Sequence, residues 1–302
     1  MLNFSNIFKH RLLKNSIVYT GSNVIRSAIP FLLLPVLTRY LTPTDYGTVA
    51  TFQILLAIVV VFVNLNIHGA VAVNFFKIEK RELEVYIGNV AFILFISFLL
   101  TFCIIFAVKE PLAHLIKFPE NWLPIIVVIA LSQSVITLTL TLWQVEQKPL
   151  PYGIFQISQT IFNVTLSLIF VVALNWTWQG RLLGIVIASI IFGFASVVII
   201  YKRKYIKFSF NKAYIKDALL FGIPLIPHAL SAWMMTSIDR VFINSMVNVA
   251  ATGIYTVGYQ VGMIIGLLAT SFNRAWVPFL FEKLKENNSA TKIIVIGNKK
   301  AP

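Results

Sequence analysis

The feature that most constrains this chain is its series of long apolar stretches, about eight of them, separated by short polar turns. They fall near Ile17–Leu37, Gly47–Ile67, Ile87–Val108, Trp122–Trp143, Ile154–Leu174, Leu182–Tyr201, Leu219–Ile243 and Gly253–Phe281. Each reaches the roughly 20 residues a helix needs to cross a bilayer. Hydrocarbon offers no partner to backbone amides, so only helices and closed barrels span it. A barrel would show alternating segments of about ten residues, and the sequence has none. The expected fold is therefore all-α, a polytopic membrane helix bundle of about eight spans. Composition agrees: 58% of residues are hydrophobic and 12% charged. Soluble domains run at about 45–50% and about 25%.

Charge sets the expected orientation. The net charge is +14, from 25 Lys and Arg against 11 Asp and Glu. In a soluble protein this would suggest nucleic acid; in a membrane protein it marks the cytoplasmic loops. Placing the N-terminus in the cytoplasm puts Lys9, Arg11, Lys14, Lys77, Lys80, Arg81, Lys148 and the run KRKYIKFSFNKAYIK on that side. The outer side then holds only Arg39, Lys109, Lys117, Arg181 and Arg240. No nucleic-acid partner is expected. The first 14 residues read as a basic arm lying on the membrane surface, without the short apolar run and small-residue site of a cleavable signal. A lone cysteine, Cys103, excludes an internal disulfide.

In the first, fourth and fifth spans the polar residues fall on stripes spaced by three and four, one face of a helix. The first span carries Asn15, Tyr19, Ser22 and Arg26, with Pro30 and Pro35 expected to bend it. The fourth carries Gln133, Thr137, Thr141 and Gln144, and the fifth Gln156, Gln159, Asn163 and Ser167. The seventh carries His228, Ser231, Thr236, Asp239 and Arg240, and the eighth Thr256, Gln260, Ser271, Asn273 and Arg274. The third and sixth spans are nearly free of such groups. The pattern fits a polar cavity backed by every third helix; the competing reading is that these groups only tie helices together. In the sixth span and its approach, Gly180, Gly184 and Ala188 form a seam for close helix packing.

A weak internal repeat joins the first and seventh spans. Each follows a basic segment, holds two prolines (Pro30 and Pro35; Pro224 and Pro227) and ends at an arginine (Arg39; Arg240). Each then leads through a turn with Tyr and Gly (Tyr46, Gly47; Gly253, Tyr255) into the next span. Transporters are often built from two such halves. The blocks KNSIVYTGSNVIRSAIPFLLLPVLTRYLTPTDYG and GIPLIPHALSAWMMTSIDRVFI…GIYTVGYQVG…AWVPFLFEKL resemble the polysaccharide and O-antigen flippase family of the multidrug and oligosaccharidyl-lipid exporter superfamily. The resemblance runs from about Leu12 to Lys285. It implies a pseudo-two-fold bundle around a central cationic cavity. It implies transport of undecaprenyl-pyrophosphate-linked oligosaccharide, an O-antigen or capsule repeat unit, across the bacterial inner membrane by alternating access. A polysaccharide polymerase and a chain-length regulator are the implied protein partners, and membrane lipids the surroundings. Family members usually carry twelve or more spans. This chain is therefore expected to hold one six-helix half, residues 1–201, a basic cytoplasmic loop, 202–218, and a second half cut after its first two helices, 219–286. A disordered tail, 287–302, would follow.

The candidate site residues follow from this frame. Arg26 lies about 13–15 Å into the bilayer by the helical rise, where its fork suits a pyrophosphate; the alternative is that it snorkels to headgroups. Arg274 divides between the same two roles. Gln133, Gln156, Gln159, Asn163 and Gln260 are candidates for sugar hydroxyls, or for glue between helices. Asp239 and Arg240 would form a gate with the region of Arg39, or cap the span; neighbouring residues point about 100° apart, so they need not pair. His228 and His68 are candidates for proton coupling, or simply packed. No phosphate-binding glycine loop, Cys/His metal set or catalytic triad occurs, so neither an enzyme nor a cofactor or metal is expected. Three alternatives stand beside the flippase. One is a small-molecule antiporter of the same superfamily. Another is a membrane glycosyltransferase or polymerase, disfavoured by the short outer loops. The last is a non-functional truncated remnant.

Overall fold

The computed structural model describes residues 4–263, 265, 266 and 276, with side chains from residue 18 onward save 27, 30 and 32. Among them every regular element is a helix, and the fold is a polytopic helical bundle. Its helices are α1 (Phe4–Tyr40), α2 (Pro43–Asn64), α3 (Ile67–Asn74), α4 (Lys80–Ala107), α5 (Lys109–Ile116), α6 (Leu123–Val145), α7 (Pro149–Leu168), α8 (Thr177–Lys202), α9 (Lys212–Gly222) and α10 (Ile226–Met246). Six stretches among the described residues are long and apolar enough to cross a membrane: Pro43–Asn64, Lys80–Ala107, Glu120–Val145, Pro149–Ala173, Thr177–Lys202 and Lys212–Met246. They coincide with the second to seventh stretches read from the sequence. The first lies inside α1. The eighth begins in the helical residues 249–263 and runs on outside the described residues, as do Ser271, Asn273, Arg274 and the tail.

The chain divides into two compact units, Met1–Thr256 and Val257–Pro302. The described residues of the second unit, Gln260 among them, are helical. All packing below belongs to the first unit.

Local chemistry sets the helix ends. A capping box opens α2: Thr42 Oγ1 accepts from Asp45 N at 3.2 Å, and Asp45 Oδ2 accepts from Thr42 N at 2.9 Å. Such reciprocal bonds satisfy amides that the first turn leaves orphaned. Leu65 and Asn66 then take positive φ, 49° and 53°, and separate α2 from α3. The basic arm is no separate surface turn: α1 is helical from Phe4, since neither glycine nor proline interrupts residues 4–20, and it continues through Pro30 and Pro35. Pro149 and Pro151 fall in the first turn of α7, where a proline removes no helical bond. Beyond Leu168 that helix widens into a π-turn, Ile169–Ala173.

Two buried clusters hold the unit. One joins α2, α6 and α8 through Phe52, Val63, Ile126, Ile129 and Leu182. The other joins α3, α4, α6 and α9 through Ile67, Val71, Tyr86, Ile87, Leu138 and Ala218. The two apolar spans behave differently. α4 turns Phe92, Phe95, Leu99, Leu100 and Ile104 outward, as a lipid-facing helix should. α8 packs against α2, α6 and α7, and exposes only one flank, with Ile190, Phe194 and Val197. The small-residue seam makes this possible. A Cβ on Gly184 would stand 2.4 Å from Ser167 Oγ, and one on Gly180 would stand 2.9 Å from Phe170 C.

Candidate functional site

Helix α1 is set against α7 by a close contact of small residues. A Cβ on Gly153 would lie 2.2 Å from Ser22 Oγ. The Tyr19 and Tyr152 rings meet edge to face at 5.0 Å, and Tyr19 Oη reaches Trp143 O at 3.5 Å. One turn beyond Ser22 the stripe of α1 presents Arg26 to a cavity of about 370 Å³. The other walls are His68 from α3, Gln133, Thr137, Thr141 and Gln144 from α6, and Tyr152, Gln156 and Gln159 from α7. From Gln144 to Gln133 this wall climbs about 16 Å along α6, at 1.5 Å per residue. The cavity thus runs from the α6–α7 turn toward mid-bundle.

The cavity is polar and cationic. No carboxylate is among its lining residues. Arg26 is exposed, and no described residue engages it. Gln156 is only 4% exposed; its Nε2 donates to Tyr152 Oη at 3.3 Å, and its buried Oε1 has no partner among the described residues. His68 Nδ1 lies 3.1 Å from Asn64 Oδ1. Below the cavity, Glu146 Oε2 binds Lys148 Nζ at 2.8 Å and Arg203 Nη1 at 3.0 Å. Arg203 also covers the Trp143 ring at 5.6 Å. These contacts tie the α6–α7 turn to the end of α8.

Away from this turn, α10 is tied to α2 and to the end of α5. Trp233 Nε1 of α10 donates to Ile54 O of α2 at 3.0 Å, Asn244 Nδ2 donates to Ile116 O, and Lys117 Nζ reaches Ser245 O at 3.4 Å. Backbones nearly touch there: a Cβ on Gly47 would fall 1.8 Å from Val249 O, and one on Gly253 2.0 Å from Pro43 O. Asp239 and Arg240 sit at this end. They do pair, Arg240 Nε standing 3.7 Å from Asp239 Oδ1, because the side chains bend back across the 100° between them. Asp239 Oδ2 also accepts from Tyr255 Oη, and Arg240 donates to Thr236 O. They do not end the span, since α10 continues to Met246. Arg240 lines a small apolar cavity of about 160 Å³ with Thr51, Ile54 and Asn244. Arg39, in the last turn of α1, and His228, in the first turn of α10, are exposed and line neither cavity.

Comparison with known proteins places this architecture. The family model described as polysaccharide biosynthesis protein matches residues 12–283. The chain belongs to that family. A Haemophilus influenzae protein, named only as an uncharacterized membrane protein, is 29% identical over 288 residues, covering 93% of this chain and 68% of its own. The capsular polysaccharide biosynthesis protein CapF of Staphylococcus aureus is 24% identical over 306 residues, covering 95% of this chain and 72% of its own. A solved structure named "protein A" shares the fold, with a TM-score of 0.63 at 14% identity. It covers 85% of this chain, which spans 60% of that structure. This polysaccharide biosynthesis protein is thus a membrane protein.

The structure brings Arg26, Gln133, Gln156 and Gln159 to one cavity and leaves Asn163 just beyond it. Two members of the polar set escaped the sequence. Tyr152 lies one turn before Gln156, and extending the stripe backward would have found it. Arg181 stands in the outer loop on hydropathy, because an arginine delays the start of any apolar window. In this family member it is 8% exposed, inside α8, donating from Nη1 to Asn163 Oδ1 and to Ser167 Oγ at 2.6 Å each.

Proposed function

We propose that this polysaccharide biosynthesis protein moves an undecaprenyl-pyrophosphate-linked oligosaccharide across the bacterial inner membrane by alternating access. The observation that carries the proposal is Arg26, without a described partner, in a carboxylate-free cavity walled by glutamines. A charge at membrane depth is costly and usually marks a substrate path. The guanidinium grips two phosphate oxygens at once, while Gln133, Gln156 and Gln159 offer both donors and acceptors to sugar hydroxyls. A volume of about 370 Å³ falls in the range of ligand sites. The positive loops support a cytoplasmic α6–α7 turn. The cavity then loads from that side, with the outer end shut by α10 against α2 and α5. Asp239, Arg240, Arg39 and His228 are the residues proposed to serve that outer gate or its coupling. Gln260 and Arg274 are proposed as further contacts to the cargo. A cationic-drug antiporter would want a carboxylate in the cavity, and none of the lining residues is one.

Complementation tests the proposal. The chain and its Arg26→Ala variant are expressed in a bacterium lacking its O-antigen flippase, with membrane insertion of both verified. A restored lipopolysaccharide ladder that disappears with Arg26→Ala is the expected result. A ladder equally strong with the variant would refute the role given to Arg26.

A further inference from the structure

The cation above the cavity, Arg181, is buried with neutral company. Its two described hydrogen-bond partners are Asn163 Oδ1 and Ser167 Oγ, the Tyr46 phenol lies near enough to interact with its charge, and no carboxylate among the described residues pairs with it. Ser167 spends its own hydrogen on Asn163 O at 2.8 Å, so its oxygen is left to accept from the guanidinium. A guanidinium is all donors and no acceptor. The Asn163 amide therefore has one orientation, oxygen toward Arg181 and Nδ2 away from it. Nδ2 has no partner among the described residues, and Asn163 is half-buried. Positions 152, 156, 159 and 163 follow one face of α7, and the first three line the cavity. Asn163 continues that face about 6 Å past Gln159 at the helical rise.

We infer that Arg181 is a positioning residue: it locks Asn163 as a hydrogen-bond donor and so adds an upper subsite for a hydroxyl oxygen of the cargo's first sugar. This rests on the proposed function, in which Arg26 takes the pyrophosphate lower in the cavity. The bond network does the work on its own terms. Without Arg181 the amide is free to turn, and a donor held for the sugar becomes a donor or an acceptor at random. A buried arginine with only neutral acceptors is an expensive arrangement, one that packing alone would meet more easily with an apolar residue.

The test uses the full chain in nanodiscs and two probes, undecaprenyl pyrophosphate with and without one attached sugar, with thermal stability measured alongside. In Asn163→Asp the carboxylate still accepts from Arg181, more strongly than the amide, so the melting temperature should hold or rise. The donor is gone, and binding of the sugar-bearing probe should weaken about tenfold, as for a lost hydrogen bond in a desolvated site, with the bare pyrophosphate unchanged. Arg181→Gln should weaken the same probe, and Arg181→Lys should restore part of it. Unchanged sugar-probe binding in Asn163→Asp would overturn the inference, and so would an equal loss for both probes, which would report added charge. If the wild type bound neither probe, the flippase reading itself would fall, and the subsite with it.

Discussion

At the scale of single residues the cavity is built from groups that stability alone does not favour. Gln156 shows this most plainly: a buried amide whose Oε1 has no described partner. Leaving such a group unpaired costs about 1–3 kcal/mol, so Gln156→Leu should leave the melting temperature unchanged or raise it. Transport in the complementation assay should fall at the same time. A variant less stable than wild type would mean that the amide's bond to Tyr152 matters to the fold more than to the cargo. Arg26 contrasts with the other arginines of the first unit whose partners are known. Arg203 is held by Glu146 and Trp143, and Arg181 by Asn163 and Ser167. A cation already satisfied has less to offer a passing anion.

At the scale of helices, small residues decide which elements approach. With Ser167 2.4 Å from the Cβ that Gly184 lacks, Gly184→Val should push α8 off α7. Overpacking of this kind costs about 1–3 kcal/mol, so a lower melting temperature of the purified protein is expected, and an unchanged one would remove the seam from the account. Gly253→Val tests the end that α10 ties, where Pro43 O stands 2.0 Å from the missing Cβ. It should lower stability by a similar amount and make a cysteine placed at Thr51 more reactive to a soluble maleimide. Much of the element pattern was legible beforehand, because a membrane helix is specified by length and hydropathy. The stripe spacing also brought residues from three helices toward one cavity. Three things were hidden for physical reasons. The α2–α3 break needs positive φ at Leu65 as well as at Asn66; asparagine favours that region, but leucine does not announce it. The seam of Gly180 and Gly184 was visible in the sequence, but it does not say which helices meet it, and hydropathy alone reads α8 as facing lipid. The burial of Arg181 requires acceptors from a different helix, which a linear reading does not bring into view.

At the scale of the whole molecule, a polar cavity reaches from the α6–α7 turn toward the middle of the first unit, while α10 is bonded to α2 and to the end of α5. In the proposed function that asymmetry is the starting state of alternating access. The proposed orientation also says which side is wet. After Cys103→Ser, a cysteine placed at Gln159 should react with a membrane-impermeant maleimide in inverted vesicles and not in intact cells; the reverse pattern would invert the proposed orientation. The claim everything else rests on is that Arg26 holds the pyrophosphate. The most direct measurement is equilibrium binding of undecaprenyl pyrophosphate and undecaprenyl monophosphate to the full chain and to Arg26→Ala and Arg26→Lys. The wild type should prefer the pyrophosphate, Arg26→Ala should lose about tenfold or more of that affinity, as for a charge-assisted bidentate contact, and Arg26→Lys should recover only part of it. Equal binding of the pyrophosphate by wild type and Arg26→Ala would contradict that claim.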